Sequence, residues 1–176
     1  MNELMEKPRL KGWLDGLGGN TQRQTRWLTP KHIPKALGSF DLDPCGAPGH
    51  TLAHRTYLLE NGEDGLTLPW EGRVWLNPPY GREAEPFLRK LADHNRGTAL
   101  IFARTETRVF HELVWGKADS ILFLEGRVTF LDESGVPARA NSGAPSCLVA
   151  YGPSDTRMLE RSALPGRFIE LRGKAN

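Results

Sequence analysis

In the run Asn77-Pro78-Pro79-Tyr80, residue type and order prescribe a particular chemistry. Proline carries no backbone N–H, so two in succession strip donors from a turn, leave its carbonyls in place and hold the backbone stiffly. Asn77 can turn its side-chain carbonyl the same way, and Tyr80 adds a flat face on which a planar group stacks. An acceptor pair beside an aromatic plate suits an exocyclic or amide NH2 group, whose delocalised lone pair makes it a poor nucleophile. If both N–H bonds donate, one to Asn77 Oδ1 and one to the Pro78 carbonyl, the nitrogen can pyramidalise and aim its lone pair at an electrophilic carbon. The same oxygens then stabilise the positive charge that grows on nitrogen, a preorganised electrostatic effect that requires neither a metal nor a covalent intermediate. A Pro-rich turn that merely ends a strand is the plain structural alternative.

A second constellation lies upstream, where Trp27-Leu28-Thr29-Pro30 precedes Phe40-Asp41-Leu42-Asp43-Pro44-Cys45-Gly46. An acidic residue at a strand end, with a tight glycine-containing loop beyond it, can approach a nucleoside closely, Gly46 and Gly49 sparing room for the ligand. Turn initiation by Asp43-Pro44 is the alternative. Glu60 and Asp64 follow Asp43 by 17 and 21 positions, near the spacing at which dinucleotide folds hold a ribose hydroxyl with a carboxylate. Cys45, His50 and His54 have a spacing that suggests a metal site but lack an obvious fourth ligand, so no metal is expected.

These residues need a frame. FDLD at 40–43, RVWLN at 73–77, TALIFA at 98–103, SILFL at 120–124 and CLVAY at 147–151 are apolar runs of buried-strand length. Between them Phe87, Leu88 and Leu91 share one helix face, as do Val109, Phe110, Leu113 and Val114. Alternation of strand and helix predicts an α/β fold with a mostly parallel sheet. RVTFL and CLVAY flank a loop rich in Gly, Pro and Ser, which reads as a C-terminal antiparallel hairpin added to the sheet edge. In open sheets ligands bind beyond the carboxyl ends of strands, so the loops after Asp43, Leu76 and Ala103 are where chemistry is expected.

Composition narrows the class further. The 176 residues carry 23 Lys and Arg against 21 Asp and Glu, a net charge of +2, so any contact with nucleic acid must come from local cations rather than a basic coat. Residues 1–26 are polar and read as a flexible lead-in, with a single domain over 27–176. Two cysteines, no signal-like N-terminus and no long apolar span predict a cytoplasmic protein that does not meet membranes.

Asn-Pro-Pro-Tyr after a strand is the catalytic motif of S-adenosylmethionine-dependent amino-group methyltransferases, and the order of motifs over residues 27–151 resembles the phage-type DNA N6-adenine methyltransferases, the Dam-like family. The resemblance implies a Rossmann-like methyltransferase fold, S-adenosylmethionine as cofactor and DNA as partner, the protein acting as a monomer or homodimer in a bacterial host cytoplasm, of phage or prophage origin. It implies that Asn77, Pro78, Pro79 and Tyr80 are catalytic, with Tyr80 stacking on a base flipped out of the duplex. It makes Asp43, Pro44, Cys45 and Gly46 the cofactor loop, close to the methionine part. Trp27, Thr29 and Pro30 become an element that closes over the cofactor, and Asp64 and Leu66 its adenosine end. CGAPG replaces the usual Gly-x-Gly pattern here, and the interval from Asp43 to Asn77 is short for the usual two strand-helix units. Trp70 and Trp75 are the candidates to flank the cofactor. Arg82, Arg104, Arg108 and Arg139 are expected to meet DNA phosphates, and with no room for a separate recognition domain, specificity falls to loops or to a second subunit. A protein glutamine amide offers the same two N–H donors, and a DNA-binding module without turnover is the third reading.

Overall fold

The computed structural model describes residues 27–79, 81–139 and 142–172. The expected lead-in at 1–26 and Tyr80 therefore lie outside the described residues. The strands among them are β1 (Leu42–Asp43), β2 (Arg55–Thr56), β3 (Val74–Leu76), β4 (Gly97–Phe102), β5 (Ser120–Leu124), β6 (Ser146–Tyr151) and β7 (Gly166–Glu170). They form one sheet in the order β2-β1-β3-β4-β6-β5-β7. β1 pairs in parallel with β2 and β3, and β3 with β4, whereas β6 is antiparallel to both β4 and β5, and β5 antiparallel to β7. The fold is mixed α/β, and each of the five apolar runs contains a strand.

The edge hairpin is corrected. RVTFL forms no strand; Val128 and Phe130 are buried from a loop whose Leu131 bridges Leu28. CLVAY is not at an edge either, because β6 lies between β4 and β5 with all six residues buried. An uninterrupted apolar run is what a strand covered on both faces requires. The sheet is accordingly parallel on one side and antiparallel on the other, and the short strands β2 and β7 carried no apolar run to announce them.

Alternation along the strands divides the core. Val74, Leu76, Ala99 and Val149 face one side, where they meet Phe87, Leu88 and Leu91 of helix α2 (Ala84–His94) and Phe110, Leu113 and Val114 of a π-helical turn at Phe110–Trp115. Trp75, Leu100, Leu122 and Leu148 face the other, against Ile33 of helix α1 (His32–Lys35) and Leu159 of helix α3 (Pro153–Glu160). Because β1 and β3 run parallel, their carboxyl ends leave the sheet at the same edge, which brings Asp43 and Asn77 together although 34 positions separate them in sequence.

Candidate active site

At that edge lies a cavity of about 630 Å³, within the range of small-molecule sites. Asp43, Pro44, Cys45 and Gly46 form one wall, and Asn77, Pro78 and Pro79 another. Trp27 and Thr29 contribute from the preceding segment, and Asp64 and Leu66 from the loop after β2. Pro30, of the segment read as closing over the cofactor, does not line the cavity.

Asn77 follows β3 directly, and its side chain is oriented by the segment before the sheet: Nδ2 donates to the Trp27 carbonyl over a long 3.4 Å. Oδ1 is buried and has no hydrogen-bond partner. A buried acceptor left unpaired costs about 1–3 kcal/mol, which a donor on a molecule in the cavity would recover. Thr29 Oγ1 is a second orphan, on a residue only 1 % exposed that lines the same cavity.

Asp43 is buried at the carboxyl end of β1, and its Oδ1 accepts from the Cys45 N–H at 3.0 Å. Burial pushes its carboxyl up to about 7, against the lowering effect of that hydrogen bond. A buried carboxylate is costly unless a cation or further donors pair with it, and a ligand bearing an ammonium group or hydroxyls would supply them. Cys45, in the same loop, has a thiol pushed well up by burial and by the charges of Asp43 and Asp64, which keeps it protonated and unreactive.

The glycines of this loop also have roles in the fold. A Cβ on Gly46 would collide with the Thr56 side chain of β2, and Gly49 faces open space at φ +72°, a conformation that a turn demands and glycine tolerates. The sequence offered turn geometry or ligand clearance for both; Gly46 packs against β2 and also lines the cavity, whereas Gly49 has the turn geometry and does not line it.

The third wall is fixed by Asp64 and Trp70, both singled out in the sequence, and by Lys90, which was not. Asp64 Oδ1 accepts from the Leu66 N–H at 2.8 Å, a local Asx turn. Lys90 of α2 donates to the carbonyls of Gly65, Leu66 and Leu68 at 3.0, 2.8 and 2.6 Å. Trp70 Nε1 donates to Gly65 O at 2.7 Å. Trp70 thus holds the loop and is not on the cavity wall, while Trp75 is fully buried on the opposite sheet face, so neither flanks the cavity. Of the two candidate carboxylates after Asp43, Asp64 lines it and Glu60 does not; Glu63 and Glu83 line it as well. Lys90 had no local signal, because its partners are more than 20 positions away.

The four arginines stand apart from the cavity lining. Arg82 and Arg104 are exposed beyond β3 and β4, and Arg139 is exposed in the 127–139 loop. Arg108 is held by Glu112 at 2.8 Å and Glu85 at 3.2 Å. Cys45, His50 and His54 do not converge: among the described residues no group of three His, Cys, Asp or Glu could hold a metal. No helix among those residues is long and apolar enough to cross a membrane.

The arrangement offers a nucleoside-sized cavity in which an acidic loop at one strand end faces an unpaired amide oxygen at the next. Compared with known proteins, the chain matches the family model described as DNA N-6-adenine-methyltransferase (Dam) over residues 19–163, most of its length. No curated protein and no solved structure matches.

Proposed function

The chain belongs to the DNA N-6-adenine-methyltransferase (Dam) family, and from that premise we propose that it transfers the methyl group of S-adenosylmethionine to N6 of adenine in DNA. The observation that carries the reading is the unpaired, buried Oδ1 of Asn77 in the cavity shared with Asp43. Two further features support S-adenosylmethionine as the cofactor: the Thr29 hydroxyl has no partner, and Asp43 is a carboxylate lacking a cation. The sheet order, with an antiparallel strand inserted between β4 and β5, supports a Rossmann-like methyltransferase arrangement.

When bound, S-adenosylmethionine supplies a methyl carbon made electrophilic by its sulfonium. Asp43 and Thr29 bind its polar groups, and Asp64 with Leu66 receives its adenosine end. Asn77 Oδ1 and the Pro78 carbonyl accept the two N–H bonds of the target adenine amine, holding its lone pair in line with that carbon. Methyl transfer would form the C–N bond, break the C–S bond and leave S-adenosylhomocysteine; both oxygens would stabilise the positive charge on nitrogen until its surplus proton passes to solvent. Tyr80 stacks on the extruded base. Arg82 and Arg104 meet backbone phosphates, which position the duplex without specifying its sequence. A protein glutamine amide has the same donors; the family favours adenine.

The reading is tested by incubating the protein with DNA of mixed sequence and labelled S-adenosylmethionine, then digesting the DNA to nucleosides. Label in N6-methyldeoxyadenosine is expected. Label confined to N4-methylcytosine, or to protein, would overturn the assignment.

A further inference from the structure

The segment 27–30 spends all four of its backbone carbonyls. Trp27 O accepts from Asn77 Nδ2 at 3.4 Å, Leu28 O from the Leu131 N–H at 2.9 Å, Thr29 O from His50 Nε2 at 2.9 Å and Pro30 O from the Ile33 N–H at 3.0 Å. Two of these donors are side chains, Asn77 and His50, and both line the cavity. His50 is 7 % exposed. Its N–H donates to Ala47 O at 3.1 Å, closing the turn that ends the Asp43–Gly46 loop. The imidazole therefore ties the loop after β1 to the segment that carries the Thr29 hydroxyl and the carbonyl that orients Asn77. Burial holds the ring below its ordinary pKa, outweighing the Thr29 contact. A neutral imidazole has one N–H, and here Nε2 carries it, because a carbonyl only accepts.

We propose that His50 is a positioning residue of the nucleoside site: by holding the Thr29 carbonyl it latches segment 27–30 over the cavity, fixing Thr29 Oγ1 toward the ligand and the Trp27 carbonyl against the Asn77 amide. The identity of the ligand rests on the methyltransferase reading; the latch itself rests on geometry. Losing one buried hydrogen bond is worth up to about a tenfold change in an equilibrium constant.

Three proteins decide the matter: wild type, His50→Leu, which fills the volume without a donor, and His50→Gln, whose Nε2 can restore one. Calorimetry with S-adenosylhomocysteine, the demethylated product, gives affinity. Amide hydrogen exchange at Leu28 and Leu131 reports the latch, with β6 amides as an internal control for an intact fold. His50→Leu is expected to weaken binding about tenfold and to speed exchange at Leu28 and Leu131 alone, and His50→Gln to recover most of both. Wild-type affinity in His50→Leu, or exchange at those two amides unchanged, overturns the proposal, as does His50→Gln behaving like His50→Leu. If the wild-type chain itself does not bind S-adenosylhomocysteine, the methyltransferase reading falls and takes the ligand role with it. Unchanged exchange in His50→Leu would separately sink the latch.

Discussion

Arg73 and Asn77 flank β3 on either side, four positions apart, and the fold spends their polar atoms in opposite ways. Arg73 Nε donates to Asp155 of α3 at 2.8 Å, and its Nη1 to the carbonyls of Leu37 and Ser39 at 2.7 and 3.0 Å. The guanidinium also lies 4.1 Å from the Phe40 ring centroid. Asp155 takes a further hydrogen bond from Thr98 at 2.9 Å. At the other end Asn77 Oδ1 and Thr29 Oγ1 have no partner, and Asp43 has only the Cys45 N–H. At the Arg73 end cation and carboxylate pair at 2.8 Å, although Arg73 Nη2 and Asp155 Oδ2 stay buried without a hydrogen-bond partner; at the other end the unpaired oxygens belong to residues that line the cavity. What separates the two ends is the cavity, since both have buried polar atoms without a partner but only Asn77 and Thr29 line it.

The contrast predicts that substitutions at the two ends move different observables. The largest change in stability belongs to Arg73→Met, which strands a buried carboxylate and is expected to cost about 3–5 kcal/mol in urea denaturation. Adding Asp155→Leu should restore much of that loss, and methyl transfer per folded molecule should stay unchanged throughout. A stable Arg73→Met protein would mean that this end is not the structural one.

Asp43 sharpens the comparison through pH. Burial pushes its carboxyl from the ordinary 3.8 up to about 7, so between those values the folded state holds the extra proton and stability falls as pH rises. Above 7 the buried carboxylate is a constant cost. Asp43→Asn should therefore raise Tm at pH 8, with the difference fading toward pH 4. Binding should show the reverse: S-adenosylhomocysteine affinity in wild type drops about tenfold per pH unit below 7, because the carboxyl must lose its proton to pair with the ligand. Calorimetry on Asp43→Asn should show weaker binding without that slope.

The smallest effect separates two arginines. Arg82→Gln should lower the slope of log affinity for DNA against log salt by about one, the loss of a single phosphate contact. Arg108→Gln should leave the slope unaltered, since Glu85 and Glu112 already hold that guanidinium. Equal slopes in both variants would remove Arg82 from the DNA face.

What was legible in the sequence follows the same division. Asn77, Asp43 and Thr29 could be singled out because their neighbours in the chain make them unusual: two prolines, a Pro-Cys-Gly turn and a Trp-Leu-Thr-Pro run. The pairing of Arg73 with Asp155 could not, since 82 positions separate them and RVWLN reads only as a strand. The same holds for Lys90 and for His50, whose partner Thr29 is 21 positions away. The place of β6 was within reach. Six successive buried residues signal an interior strand, and it was the adjacent Gly- and Pro-rich loop that suggested a hairpin at the edge.

On the methyltransferase reading, Asn77 Oδ1 is held for the attacking amine and does little for the fold or for cofactor binding. Single-turnover methyl transfer with Asn77→Ala, cofactor and DNA both saturating, tests it most directly. The account predicts a rate lower by about 10²–10³, the usual loss when one preorganised transition-state contact is removed, with S-adenosylhomocysteine affinity within about twofold of wild type. A variant that transfers methyl groups at the wild-type rate would contradict it.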